Sequence, residues 1–309
     1  MITILSSPKP FKGNDKLNQY RAIESWKNVP NSEIMLFGNS EGINQAGNDL
    51  NVKVVNNIKQ TDEGLPYFNS IIDYANRYGL FGIQMYINCD IVIDNIETAL
   101  QFITFKKFLL IGERLDLSKD IFIDIIDKGY KKKLINKLDN NQVKMHGPTG
   151  IDYFIFPKGI WDTLPEIIVG RGAYDSALLA HCKRNGIPLI DASLVIIALH
   201  QFHDYNHVKK GKNEVFYGNN AKENKKAAGG IFSSNWISDS DYILNNDGLH
   251  YWPFRGQKLR NLEITFRHNY QLKYLAIIIR MMRKLFNKGN PLSPPLLNKK
   301  KFINALKRN

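Results

Sequence analysis

Apolar positions come in short, evenly spaced blocks through the first 110 residues. Residues 2–6, with Ile2, Ile4 and Leu5, predict a strand, and residues 16–26 carry apolar side chains at helical spacing. Residues 33–37 form a second short apolar run, stopping at the turn Gly38-Asn39-Ser40, and residues 52–55 predict a third strand. Pro66 suits a helix start, and Tyr67, Ile71, Ile72, Tyr74, Ala75 and Tyr78 give that helix an apolar stripe. Residues 86–94 are again strand-like, followed by a helix over 96–105 and a strand over 108–112. Strands alternating with helices predict an α/β fold with a mostly parallel central sheet and helices on both faces. In such sheets ligands bind beyond the carboxyl ends of the strands.

Further along, residues 121–145 read as an amphipathic helix followed by a basic, Asn-rich loop, and residues 152–156 and 189–195 as strands. Residues 173–184 read as a helix stopped by Asn185-Gly186. The polar, Lys/Asn-rich stretch 209–230 ends in Gly229-Gly230 and predicts a mobile loop, and Pro291, Pro294 and Pro295 break whatever helix precedes them. The chain has no internal repeat.

A hydrophobic content of 43% over 309 residues suits a globular protein with a proper core. Two cysteines, Cys89 and Cys182, are too few for a disulfide framework and predict a reducing compartment. The N-terminus enters a strand at once, without a basic segment and long apolar run, so no cleaved leader is expected. Charge changes the picture more. From residue 251 to 309 there are 14 Lys/Arg and one acidic residue, Glu263, so this segment accounts for the whole net charge of +13. Residues 1–250 are expected to be one domain and residues 251–309 a separate basic, helical C-terminal extension. Large apolar side chains from Leu262 to Phe286 are interleaved with Arg and Lys too often to span a bilayer. A basic amphipathic helix lying on an anionic membrane surface is expected instead, and no recognition motif points to nucleic acid.

The candidate chemistry begins at Tyr86-Ile-Asn-Cys-Asp-Ile. A carboxylate inside an apolar run is costly to desolvate without a partner, and a divalent cation is the usual partner. Residues two apart on a strand face the same way, which lets Asn88 and Asp90 share one site while Cys89 faces away. Residues 199–207 hold three histidines, His200, His203 and His207, beside Asp204 and Tyr205; imidazole is a common metal ligand and, protonated, pairs with phosphate. Gly170-Arg-Gly-Ala-Tyr-Asp opens a helix. There Asp175 is either a carboxylate favoured by the helix dipole or a general base for an acceptor hydroxyl, and Arg171 can hold an anion. Asp152, at a strand start, either contacts a sugar hydroxyl or caps a turn. Ser6 to Pro10 follow the first strand, where a nucleotide would sit, but without a Gly-rich phosphate loop.

In order and spacing, Tyr-Ile-Asn-Cys-Asp-Ile, Gly-Ile-Asp-Tyr-Phe-Ile-Phe, Gly-Arg-Gly-Ala-Tyr-Asp and Ile-Ala-Leu-His-Gln-Phe-His-Asp-Tyr-Asn-His resemble the nucleotide-diphospho-sugar transferases of GT-A fold. The resemblance is greatest to bacterial glycosyltransferase-like proteins with a His-Gln-x-His-Asp-Tyr segment, and it covers roughly residues 1–230. It implies that Asp90 binds a divalent metal, Mn or Mg, that bridges to the donor diphosphate. It puts Asp175 at the catalytic carboxylate and a histidine of the 200–207 cluster, such as His200 or His203, at a late metal or diphosphate position. Ser6, Pro8, Asn88 and Arg171 then fall on the donor side and Asp152 on the sugar or acceptor. Asn88 departs from the family pattern, which has Asp there, and leaves one fewer charge for the metal. The function so implied is transfer of a sugar from a nucleotide diphosphate donor to a hydroxyl acceptor in cell-surface glycan or glycolipid synthesis. The enzyme would be cytoplasmic and peripheral to the inner face of the membrane. The alternatives are a sugar-nucleotide pyrophosphorylase, which needs a Gly-rich, Arg-containing loop after the first strand, and a non-catalytic glycan- or membrane-binding adaptor.

Overall fold

The computed structural model describes residues 1–203, 211–230, 235–251, 257–269, 271–286 and 298–308. Its first part follows the predicted alternation: β1 (Ile2–Ser6), α1 (Gly13–Lys27), β2 (Ser32–Phe37), α2 (Ile43–Leu50), β3 (Lys53–Val55), α3 (Phe68–Tyr78), β4 (Ile83–Ile87), β5 (Ile91–Asp94), α4 (Ile96–Gln101) and β6 (Leu109–Ile111). There follow β7 (Leu115–Leu117), α5 (Tyr130–Asp139), β8 (Val143–Met145), β9 (Tyr153–Pro157), α6 (Tyr174–Arg184), β10 (Leu189–Asp191) and β11 (Ile197–His200). The last elements are α7 (Gly211–Tyr217), α8 (Asn219–Ala227), β12 (Tyr242–Asn245), β13 (Gly248–Tyr251), α9 (Gln257–Arg267), α10 (Lys273–Phe286) and α11 (Lys299–Arg308).

Nine strands form the main sheet in the order β13-β12-β10-β6-β9-β4-β1-β2-β3. The pairs β1–β2, β1–β4, β2–β3, β6–β10 and β10–β12 are parallel, while β9 runs antiparallel to β4 and β6, and β13 antiparallel to β12. Alternation along the strands feeds two cores. Ile2, Ile4, Leu36, Met85 and Ile87 pack on one face with Ala22 and Trp26 of α1, Ile43 and Leu50 of α2, and Ala99 of α4. Leu5, Met35, Phe37 and Tyr86 pack on the other with Phe68 and Ile72 of α3 and Leu178 and Cys182 of α6. This is the expected α/β architecture, mostly parallel with helices on both faces. Cys89 and Cys182 are both buried and unbridged.

A second sheet, β5-β11-β7-β8, carries its own core. Val92, Leu115, Val143 and Leu199 are covered there by Tyr130, Leu134 and Leu138 of α5 and by Phe302 and Leu306 of α11.

The structure departs from the sequence reading in several places. The stretch read as a mobile loop holds two helices, α7 and α8. Its composition is polar because α8 is held by polar contacts: the buried Asn224 side chain accepts from the Ile168 N–H (2.9 Å) and donates to the Ile168 carbonyl (2.8 Å). The amphipathic helix expected from residue 121 begins only at Tyr130, and the loop after it contains β8, paired antiparallel to β7. Helix α2 was not expected, and β10 stops at Asp191, where Ser193 turns the chain onto the Asp191 carboxylate.

The basic extension departs too, because it is not only a surface helix. On α9, Arg260 grips Asp239 through both carboxylate oxygens (2.8 and 2.9 Å) and Glu263 at 2.9 Å, all three residues being buried. Arg283 of α10 pairs with the other oxygen of Glu263, and α11 completes the small-sheet core. The prolines at 291, 294 and 295 lie outside the described residues.

Candidate active site

Two strand ends and one turn build the centre. After β4 the chain turns through Asn88, Cys89 and Asp90, closed by the Ile91 N–H donating to the Asn88 carbonyl at 3.1 Å, and continues into β5. β5 pairs antiparallel with β11, so His200 stands opposite Ile91, the residue after Asp90. On its other side β11 runs parallel to β7, which sets His200 opposite Asp116. Backbone register therefore brings Asp90, His200 and Asp116 into one row although 26 and 84 residues separate them along the chain.

Asp90, His200 and His203 offer one oxygen and two nitrogens within 4.8 Å of one another. His203 Nε2 lies 3.2 Å and His200 Nε2 3.9 Å from Asp90 Oδ2, and the two Nε2 atoms are 3.2 Å apart. His200 Nδ1 faces Asp116 Oδ1 at 3.3 Å, so a proton on Nδ1 leaves the Nε2 lone pair turned toward Asp90 and His203. Two imidazole lone pairs at that separation repel unless a proton or a cation lies between them. Ligand atoms about 2.1 Å from a common ion are about 3.0–3.4 Å apart at octahedral or tetrahedral angles, close to the spacing observed. The other Asp90 oxygen, Oδ1, is buried without a partner in the protein. The donor set thus fits a divalent cation, and the carboxylate behind His200 is the support that metal-binding imidazoles usually have.

Burial by itself would raise the Asp90 carboxyl, but Lys9 and then the two histidines overcome it and hold Asp90 well below the ordinary carboxylate range. Lys9 Nζ is 2.8 Å from Asp90 Oδ2. Its backbone is tied on both sides, the Lys9 N–H donating to Gln19 Oε1 (2.8 Å) and the Lys9 carbonyl accepting from Gln19 Nε2 (3.1 Å).

A polar chain leads away from this centre. Asp116 accepts from Arg114 Nε at 2.8 Å and sits 2.6 Å from His146 Nδ1; burial opposes its charge, but His146 and His200 lower its carboxyl below the usual range. Arg114 Nη1 donates to Asp152 Oδ2 at 2.5 Å, and the second Asp152 oxygen accepts from Asn88 Nδ2 at 2.5 Å. Asn88 Oδ1 in turn accepts from the Tyr174 hydroxyl at 3.1 Å. Next to Tyr174, in the first turn of α6, is Asp175, half-buried and pushed up to about 6 by desolvation, with the nearby Asp152 charge adding to the rise. Asp175 lines a cleft of about 220 Å³ together with Thr149, Phe216, Tyr217, Lys225 and Trp236. The entry to α6 is tight: Ala173 has φ +68°, and Gly172 lies where a Cβ would come within 3.1 Å of the Phe216 backbone.

The residues singled out in sequence therefore separate into two groups. Asp90, His200 and His203 converge. Asn88 does not join them; it bridges Asp152 to Tyr174, because the turn at Cys89 sends the two side chains to different partners. Asp152 belongs to the polar network that leads away from them, and Asp175 follows its last member, Tyr174, in sequence. Ser6 is buried with its hydroxyl donating to the Ile87 carbonyl at 2.6 Å, and the Pro8 carbonyl accepts from the Ser40 hydroxyl. Arg171 Nη1 donates to the Gly170 carbonyl (2.9 Å), while its Nε is buried without a partner. Asp204, Tyr205 and His207 lie outside the described residues. Sequence reasoning missed Lys9, Arg114, Asp116 and His146. The same signal, charge inside an apolar run, was present in Gly112-Glu-Arg-Leu-Asp-Leu but went unused.

No protein-family model and no curated protein matches the chain. Among solved structures it is similar to residues 1–349 of TarS from S. aureus in complex with UDP-GlcNAc, at 12% identity and TM-score 0.47, over 98% of this chain and 79% of that one. Another structure of that fragment aligns over 65% of this chain and only 57% of its own length, at 11% identity and TM-score 0.37. The mannosyltransferase PcManGT from Pyrobaculum calidifontis, in complex with GDP-Man and Mn2+, aligns at 11% identity and TM-score 0.41 over 99% of this chain and 68% of its own. Glucosyl-3-phosphoglycerate synthase from Mycobacterium tuberculosis, with Mg2+ and UDP, aligns at 12% identity and TM-score 0.41 over 82% and 87%.

Proposed function

We propose that this protein is a glycosyltransferase that moves a sugar from a nucleotide diphosphate donor to an acceptor hydroxyl with the help of a divalent metal. The observation that carries the reading is the convergence of Asp90, His200 and His203 beyond the carboxyl end of β4; a polar network runs from there to Tyr174, and the next residue, the half-buried Asp175, lines a cleft. Asp90, His200 and His203 would hold Mn or Mg, and a metal bound there would neutralise the charge that develops on the leaving diphosphate.

The other roles belong to the chain's own groups. Asp175, at about 6, is ionised at neutral pH yet basic enough to take the proton of the acceptor hydroxyl, which suits a general base. Attack at the anomeric carbon would then invert its configuration. Asp152, fixed by Arg114 and Asn88, is an acceptor-only carboxylate available to a sugar hydroxyl. Arg171 and the Ser6–Pro8 segment are proposed on the donor side. Thr149, Lys225 and Trp236 place the acceptor in the cleft beside Asp175. We place the acceptor on a glycan or glycolipid precursor at an anionic inner membrane surface, because α10 exposes large apolar side chains beside Lys273 and Arg280. Among the described residues no helix is long and apolar enough to cross a membrane.

A thermal-shift panel of nucleotide diphosphates and their sugars, each with and without Mn2+, tests the reading. A ligand that binds the folded state at a hundred times its Kd stabilises it by about 2.7 kcal/mol. At least one nucleotide diphosphate is expected to raise the melting temperature, more with Mn2+ than without. No shift with any of them would sink the proposal.

A further inference from the structure

Among the described residues Lys9 is the closest cation to the candidate metal centre, and no part of the family resemblance calls for it. It stands between Pro8 and Pro10 just after β1, next to β4 in the sheet. Its ammonium is 2.8 Å from Asp90 Oδ2, the same oxygen that His203 approaches to 3.2 Å and His200 to 3.9 Å. An ion held by that oxygen at about 2.1 Å would lie no more than about 5 Å from Nζ. At such a distance in a partly buried site like charges repel strongly. The Asp90 carboxylate is 8% exposed and the Lys9 side chain 25% exposed, so bulk water screens the pair poorly while the ammonium still has an open side to move toward. With the Lys9 backbone pinned to Gln19, that movement belongs to the four-carbon side chain alone.

We propose that Lys9 is an internal counter-ion that competes with the divalent cation for the Asp90 carboxylate and transfers to the donor diphosphate when metal and nucleotide bind together. The second half rests on the nucleotide-sugar reading above; the first half does not. The competition has weight because Asp90 is the anionic member of the donor set of Asp90, His200 and His203, and one ammonium at 2.8 Å offsets its charge. The diphosphate supplies the missing negative charge, satisfying the displaced ammonium and the cation together. Metal and nucleotide should therefore bind with positive cooperativity, each removing a cost the other would meet alone.

Calorimetry with Mn2+ alone, with UDP or GDP alone, and with Mn2+ plus either nucleotide tests both halves. The proteins are wild type, Lys9→Met, which keeps the aliphatic stem, and Lys9→Arg, which keeps the charge. Circular dichroism and melting temperature confirm that the variants are folded. Lys9→Met is expected to bind Mn2+ alone about tenfold more tightly than wild type, a change of ~1.4 kcal/mol, and to lose most of the metal–nucleotide cooperativity. Lys9→Arg is expected to stay near wild type for Mn2+ alone. Equal Mn2+ affinity in wild type and Lys9→Met would overturn the competition even if a metal centre is present, and no Mn2+ binding by either protein would overturn it together with the centre. Tighter Mn2+ binding by Lys9→Met without any nucleotide binding would uphold the competition and overturn the transfer to diphosphate along with the donor reading.

Discussion

Asp90 and Asp175 have opposite environments, and their expected mutant phenotypes differ accordingly. Asp90 is held ionised against burial by Lys9 and the two histidines. Asp90→Ala should leave the fold intact and abolish metal-dependent nucleotide binding, because it removes the anionic member of the Asp90, His200 and His203 donor set. Calorimetry with a nucleotide diphosphate and Mn2+ decides, and unchanged affinity would disprove the assignment. Asp175→Asn should keep donor affinity nearly intact and lower turnover by about 10²–10⁴-fold, the usual scale for a general base. A full transfer rate in that mutant would point to another base, with Asp152 next in line. The pH dependence has a definite sign. Burial raises the Asp175 carboxyl to about 6, so it is the ionised, competent form that is lost as pH falls. Turnover at saturating donor should decline below about pH 6, and a pH–rate profile that is flat from pH 7 to 5 would argue against the base role. Glu113 and Asp191, raised by burial to about 7 and about 6, titrate in the same range but lie off the cleft-lining set. The profile of Glu113→Gln is therefore expected to keep the same acid limb.

At the scale of elements, what could be seen in the sequence depended on how local its cause was. Asp90, His200 and Asp175 stood out because a polar side chain in an apolar run, or in the first turn of a helix, is visible in a few residues. Arg114 and Asp116 carry the same kind of signal, but Lys9 and His146 do not, because the pairing of β1 with β4 and of β7 with β8 gives them their partners from distant parts of the chain. The strands and helices of the main sheet were legible from periodicity. Helices α7 and α8 were not, since hydrogen bonds from Asn224, rather than an apolar stripe, fix α8 to the segment around Ile168 that precedes α6. Helix α9 shows the same limit. Its Arg260 reads as part of a basic surface, yet it is buried between Asp239 and Glu263. Arg260→Ala should destabilise the protein by about 3–5 kcal/mol, because it leaves two buried carboxylates short of their counter-charge. Chemical denaturation measures this, and a loss below about 1 kcal/mol would mean that α9 is only loosely attached.

For the whole molecule, the part of the positive charge after residue 250 that packs the structure must be separated from the proposed membrane surface before that proposal can be tested. Arg260, Arg267 and Arg283 are buried and belong to the packing of α9 and α10, and Phe302 and Leu306 of α11 complete the core of the second sheet. Cutting the chain at residue 260, the obvious experiment from sequence, would therefore remove core and counter-charges together and is expected to yield unstable or insoluble protein. The surface to change is narrower. Tyr274, Ile278, Met281 and Leu285 recur at helical spacing on α10 and are 67%, 52%, 60% and 65% exposed. Such an apolar face flanked by cations suits the headgroup boundary of an anionic bilayer, where each nearby Lys or Arg adds about 1 kcal/mol. Ile278→Glu combined with Met281→Glu should leave the melting temperature within a few degrees of wild type, since exposed substitutions usually change stability by no more than about 0.5 kcal/mol. The same pair should abolish co-sedimentation with anionic liposomes and lower transfer to a lipid-linked acceptor far more than transfer to a soluble analogue. Wild-type binding should weaken as salt rises, because the attraction extends only about a Debye length, roughly 8 Å at physiological ionic strength. If the wild-type protein ignores anionic liposomes at low salt, or if the double mutant binds them as well as wild type does, α10 faces another protein surface and not a membrane.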